Sequence, residues 1–130
     1  MKSVVIVGGT RGLGAELAKE LREQGVLVRV VGRKAERPDW KHDLNQKDQV
    51  ESLLHRIRQL EPSHLWWVAG GGPYGRYGIK NWKDHEWAFQ VSFLSAAQAL
   101  HFVLQNPWKD LRQVVFVGSA IAEAQADPQA

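Results

Sequence analysis

The chain has no cysteine among its 130 residues. Disulfides and thiolate chemistry are therefore excluded, which suits a reducing compartment. An excess of charge of either sign is lacking: 17 Lys and Arg against 14 Asp and Glu leave a net charge of only +3. The basic residues are scattered rather than gathered into a stripe, which argues against a nucleic-acid partner. Long apolar runs are lacking as well, so no membrane span is expected. The first apolar strand begins at residue 3, leaving no room for a signal peptide before it. The five histidines, His42, His55, His64, His85 and His101, show no metal-ligand spacing and have no cysteine to join them. They read as surface or packing residues. Together these absences lead to the expectation of a soluble, cytoplasmic protein with no metal, no nucleic acid and no membrane.

What is present begins with length. At 130 residues the chain is expected to form a single domain over 1–130, large enough for a core but short for a complete doubly wound enzyme. Tryptophan is abundant, at Trp40, Trp66, Trp67, Trp82, Trp87 and Trp108, and most of these are expected in packing or at an interface. The most informative segment is Val4-Val5-Ile6-Val7-Gly8-Gly9-Thr10-Arg11-Gly12-Leu13-Gly14, where an apolar strand runs into a glycine-rich turn that opens a helix. Gly8 can supply the tight turn, Gly12 lets the main chain approach a phosphate, and Gly14 lets helix and strand pack closely. Free N–H groups of the first helical turn, with the positive end of the helix dipole, would then face an anion. By itself such a motif also describes an ordinary strand-turn-helix connection. Its context strengthens it: Ala15–Arg22 is amphipathic, Gly25 ends the helix, and Val26–Val31 is a second apolar strand, completing a βαβ unit.

A charged loop follows from Gly32 to Pro38, then a short third strand is expected at Asp39–His42, ending at Asp43. The spacing of Val50, Leu53, Leu54, Ile57 and Leu60 predicts a helix over 46–60. A fourth strand is expected at His64–Ala69, a long helix over Trp82–Gln105 stopped by Asn106-Pro107, and a fifth strand at Val114–Val117 leading to Gly118-Ser119. This alternation predicts an α/β fold, a Rossmann-type doubly wound parallel sheet of about five strands with helices on both faces, incomplete at its C-terminal edge. The long helix is apolar almost all round, so one face is expected to cover the sheet. The other would meet a second subunit, making a homo-oligomer through 82–105, or a missing part of this chain.

With these elements in place the chain resembles the N-terminal half or more of a short-chain dehydrogenase/reductase. Gly8, Gly12 and Gly14 match that family's Gly-x-x-x-Gly-x-Gly spacing. Asp43-Leu44 sits where the family places an acidic residue that hydrogen-bonds adenine, Ala69-Gly70 matches the end of its Asn-Asn-Ala-Gly segment, and Ser119 matches its catalytic serine. The resemblance implies a nicotinamide cofactor and hydride transfer to or from a small-molecule carbonyl or alcohol substrate. Three departures stand out: Trp67-Val68 replaces Asn-Asn, Ser92 stands where many members carry an active-site Asn, and the Tyr-x-x-x-Lys motif is absent. At family spacing its Tyr would fall just beyond Ala130, so a fragment of a longer protein is expected, with a natural truncation as the alternative. The chain alone is expected to be inactive.

Where a dinucleotide fold usually binds the ribose 2′-OH with an acidic residue, this chain has Gly32 followed by Arg33 and Lys34. Arg11 and Arg33 therefore predict NADP rather than NAD, since guanidinium pairs with a 2′-phosphate. The expected cofactor set is Gly8, Thr10, Arg11, Gly12, Leu13, Gly14, Arg33, Asp43, Leu44, Ala69 and Gly70. Asp43 could equally be a helix N-cap or a solvated carboxylate, and Ser119 a small residue that ends a strand. Ser92 reads as a helix-packing residue. The leading reading is an NADP-dependent oxidoreductase of the short-chain type; the alternative is a non-catalytic NADP-binding sensor or subunit.

Overall fold

In the computed structural model the described residues are 3–8, 12–32, 40–69 and 81–117. Ser3–Val7 forms β1, whose apolar run Val4–Val7 divides between two cores because successive side chains of a strand point to opposite faces. Val4 and Ile6 turn towards helix α1 (Gly12–Glu23) and pack with its Ala18 and Leu21 and with Val28 of β2 (Leu27–Val31). Val5 and Val7 turn the other way, into the larger core. There they join Val31, the Val50, Leu53, Leu54 and Ile57 stripe of α2 (Lys47–Leu60), and Leu65 and Trp67 of β3 (His64–Trp67). The last strand, β4, is Gln113–Phe116.

All pairings are parallel, and the sheet order is β2-β1-β3-β4. The chain runs outward from β1 to β2, then returns to lay β3 on the opposite side of β1. The boundary between β1 and β3 is therefore the point where the winding reverses. Ligands of such sheets sit outside the carboxyl ends of the strands at this point.

The strand expected at Asp39–His42 is present only as one bridge, between Gly32 and Lys41. Trp40, His42 and Leu44 are buried and alternate with less buried neighbours, as in a strand. The ladder stops because the chain turns at once: the Gln46 N–H donates to the Asp43 carbonyl at 3.0 Å. Among the described residues the sheet thus has four strands.

The long helix comprises α3 (Trp82–Phe89), a π-helical turn at Gln90–Leu94 and α4 (Ser95–Gln105). In the π turn the Ser95 N–H reaches back to the Gln90 carbonyl, one residue further than in an α-helix. The Val91 carbonyl, which that N–H would otherwise serve, accepts the Ser95 hydroxyl at 2.7 Å. Contrary to the sequence expectation, Trp82–Gln105 is, at 24 residues, long and apolar enough to cross a bilayer. Its place in this fold accounts for one side of that composition: Val91, Ser95, Ala99 and Val103 form a buried seam at four-residue spacing against the sheet and α2.

Candidate cofactor site

A cavity of about 410 Å³ opens at the carboxyl ends of all four strands, within the size range of small-molecule sites. Its floor is built from strand ends: Val7, which closes β1, and Gly8 after it, Val31, which closes β2, and Gly32 after it, Val68 and Ala69 after β3, and Val117 after β4. One wall is Leu13 and Gly14 in the first turn of α1. The opposite wall joins the His42-Asp43-Leu44 segment to Trp87 and Val91 of the long helix.

The glycine turn explains the floor. Gly8 has φ +91° and its N–H donates to the Val31 carbonyl at 2.8 Å, which carries the β1–β2 ladder to the cavity edge. A side chain on Gly8 would collide with the Ala69 backbone. Gly12 has φ +62°, which favours glycine, with open space around it. Gly14 is buried in α1, in keeping with close helix–strand packing. The first turn of α1 holds no acidic side chain, so nothing there offsets the positive end of the helix dipole.

The wall carrying Asp43 is an ordered loop. The Asp43 N–H donates to Gln49 Oε1 at 2.8 Å, and Asp43 Oδ1 accepts the Asn45 N–H at 3.0 Å. This is an Asx turn, not a helix cap; the N-cap of α2 is Gln46. One carboxylate oxygen is engaged in the loop, and Asp43 still borders the cavity. His42 is buried beside it, and its backbone bridges to Gly32.

Of the residues expected at the site, Gly8, Leu13, Gly14, Asp43, Leu44 and Ala69 border one cavity. Gly12 is exposed at the start of α1. Thr10, Arg11, Arg33, Gly70 and Ser119 lie outside the described residues. Val31, Val68, Val117 and His42 were not among the expected site residues, although Val31 and Val117 close expected strands and His42 adjoins Asp43, which is the signal that points to them. Trp87 and Val91 share the i, i+4 spacing of the buried seam, but only the packing shows which end of that seam reaches the cavity.

At the opposite pole of the sheet, Ser63 Oγ lies 2.8 Å from His64 Nδ1 and donates to the Ser3 carbonyl at 2.7 Å. The His64 pKa is lowered by burial and, secondarily, by the positive N-terminus. This pair joins β1 to β3 at their starts and has no part in the cavity. Among the described residues no three His, Asp or Glu side chains converge as a metal site would require.

The family model for short chain dehydrogenases matches residues 2–128. The chain belongs to the short-chain dehydrogenase family. It is similar to the 7beta-hydroxysteroid dehydrogenase of Clostridium sardiniense, at 23% identity over 132 residues, covering 88% of this chain and 51% of that protein. This family member therefore spans about half the length of the curated relative it matches. Its fold is similar to that of a short chain dehydrogenase from Burkholderia cenocepacia J2315 in complex with NADP. The identity there is 21%, the coverage 97% of this chain and 58% of that one, and the TM-score 0.81. It is also similar to an NADH-dependent reductase, A1-R′, complexed with NAD, at 15% identity, 97% and 62% coverage and a TM-score of 0.80.

Against the family pattern, this chain has Trp67 and Val68 where Asn-Asn is usual. Trp67 is buried in the larger core and its indole N–H donates to Ser95 Oγ at 3.3 Å, while Val68 borders the cavity. An indole thus occupies the first position and an aliphatic side chain the second. Ser92, in the position of the family's Asn, lies exposed in the π turn.

Proposed function

We propose that this chain is the cofactor-binding portion of an NADP-dependent short-chain dehydrogenase/reductase, whose whole protein moves a hydride between nicotinamide and a carbonyl or alcohol. The observation that carries this reading is the cavity at the carboxyl ends of the strands, with the glycine turn and the first turn of α1 on one side and Asp43 on the other. A pyrophosphate there would be held by the N–H groups of the Gly12–Gly14 turn. Asp43, an acceptor on the facing wall, would take the exocyclic amine of adenine. When bound, the nicotinamide supplies or accepts the hydride. Ser119, outside the described residues, would steady the substrate oxygen.

NADP is favoured over NAD by the end of β2. Gly32 borders the cavity and offers no carboxylate to a ribose hydroxyl, and Arg33 follows it in sequence. A 2′-phosphate near Arg33 and Arg11 would gain charge-assisted hydrogen bonds. Trp87 borders the cavity and gives the test: titration with NADPH should quench its fluorescence, with affinity about tenfold or more above that for NADH. Tighter binding of NADH overturns the choice of cofactor, and no binding of either overturns the site. The non-catalytic alternative is favoured by Trp67-Val68 and Ser92, which remove the family's usual amides from the site.

The second face of the long helix supports a homo-oligomer. Phe89, Phe93, Leu100 and Leu104 are exposed, and the Phe89 and Phe93 rings stack with centroids 5.1 Å apart. These positions form an uncharged stripe along one helix face, a shape that a second copy can meet by two-fold symmetry. Replacing Phe93 with glutamate should convert the oligomer to monomer in light scattering. A wild-type chain already monomeric overturns the proposal.

A further inference from the structure

We propose, resting on the cofactor reading above, that Gln90 is a positioning residue of the site: it ties the Asp43–Leu44 loop to the long helix and so fixes the shape of the wall they form opposite the glycine turn. Gln90 is buried, and its Nε2 donates to the Leu44 carbonyl at 3.1 Å, across 46 residues of sequence. The bonds of Asp43 to Gln49, of Asn45 to Asp43 and of Gln46 to the Asp43 carbonyl stay within the loop and α2, and the His42 N–H reaches back to Gly32 at the end of β2. The Gln90 bond crosses to the element that carries Trp87 and Val91, which line the cavity opposite the glycine turn together with Asp43 and Leu44.

The helix is built to deliver this contact. Gln90 opens the π turn, and Gln90 and Val91 are both buried while Ser92, Phe93 and Leu94 are exposed. One side chain thus reaches the loop while its neighbour reaches the cavity. A buried carboxamide is costly unless its polar atoms are satisfied. An apolar side chain would fill this space without that cost, but could not hold the Leu44 carbonyl in place. Without the bond, Leu44 and the adjoining Asp43 lose their tether to the helix wall. Asp43 is the group that would distinguish adenine by accepting its exocyclic amine.

The test compares NADPH with its deaminated analogue, in which hypoxanthine replaces adenine, using calorimetry on the full chain and on the Gln90→Met variant. The wild type should prefer NADPH by about fivefold, the worth of one hydrogen bond, and Q90M should lose about fivefold in NADPH affinity as its preference falls towards unity. A purely structural role would lower the melting temperature and leave the preference in place. Retained NADPH affinity in Q90M, an equal loss for both dinucleotides, or no preference in the wild type overturns the proposal. A wild type that binds no dinucleotide instead fails the cofactor reading itself. If Q90M does not fold, hydrogen exchange on the wild type decides. NADPH should protect residues 42–46 and 87–91 together, and protection of one segment alone overturns the coupling.

Discussion

Replacing Gly8 with alanine should cost about 3 kcal/mol or more of folding stability and abolish cofactor binding. The cause lies in two observations that reinforce each other. Gly8 has φ +91°, and a Cβ built on it would stand 2.5 Å from the Ala69 nitrogen and 2.6 Å from its Cα. Neither neighbour is a side chain that can swing aside. Ala69 follows Val68, whose N–H donates to the Val7 carbonyl at 2.8 Å. Relief would require β1 and β3 to part where the cavity floor is made. Gly12→Ala is the control: its φ is +62° but nothing lies within 4 Å of the added atom, so only the left-handed backbone is penalised, by about 1–2 kcal/mol. Urea unfolding of the two variants separates the cases. A G8A midpoint no lower than that of G12A would show that the β1–β3 junction can yield.

Replacing Trp67 with asparagine, the residue usual in the family, should destabilise the chain by about 4 kcal/mol rather than improve the site. Trp67 is 1% exposed in the larger core, paired in register with Val7 on one side and Phe116 on the other. Its indole N–H also supports Ser95, whose hydroxyl serves the Val91 carbonyl inside the π turn. The smaller amide would leave a cavity and bury polar atoms in apolar surroundings. Trp67→Phe, which keeps most of the ring and gives up the N–H, should cost about 1–2 kcal/mol. Thermal melting of both variants checks the order. An asparagine variant as stable as the phenylalanine one would mean that the core repacks around a polar group.

Much of the fold was legible because it rests on local pattern. The apolar runs at Val4–Val7 and Val26–Val31, with an amphipathic stretch between them, describe a βαβ unit before any contact is known. The stripe of Val50, Leu53, Leu54 and Ile57 placed α2 to within a residue of its observed start. The segment before Asp43 was harder, because its burial alternates like that of a strand while a turn limits its pairing to one bridge. The π turn was not legible at all. It depends on which carbonyl the Ser95 N–H finds, and on a hydroxyl and an indole that converge from separate elements.

The site divides in the same way. The glycine spacing, Asp43-Leu44 and Ala69 were readable as local motifs, each tied to backbone freedom or to one acceptor group. By itself the sequence determined the alternation of strands and helices, the glycine turn and the family resemblance, since these follow from spacing along the chain. Only the tertiary structure decided that strand ends from Gly8 to Val117 form one floor, that Trp87 and Val91 close it, and that Gln90 fastens their helix to Leu44. Those relations join residues many positions apart, and their geometry is set by how helices pack on a sheet rather than by any period in the sequence.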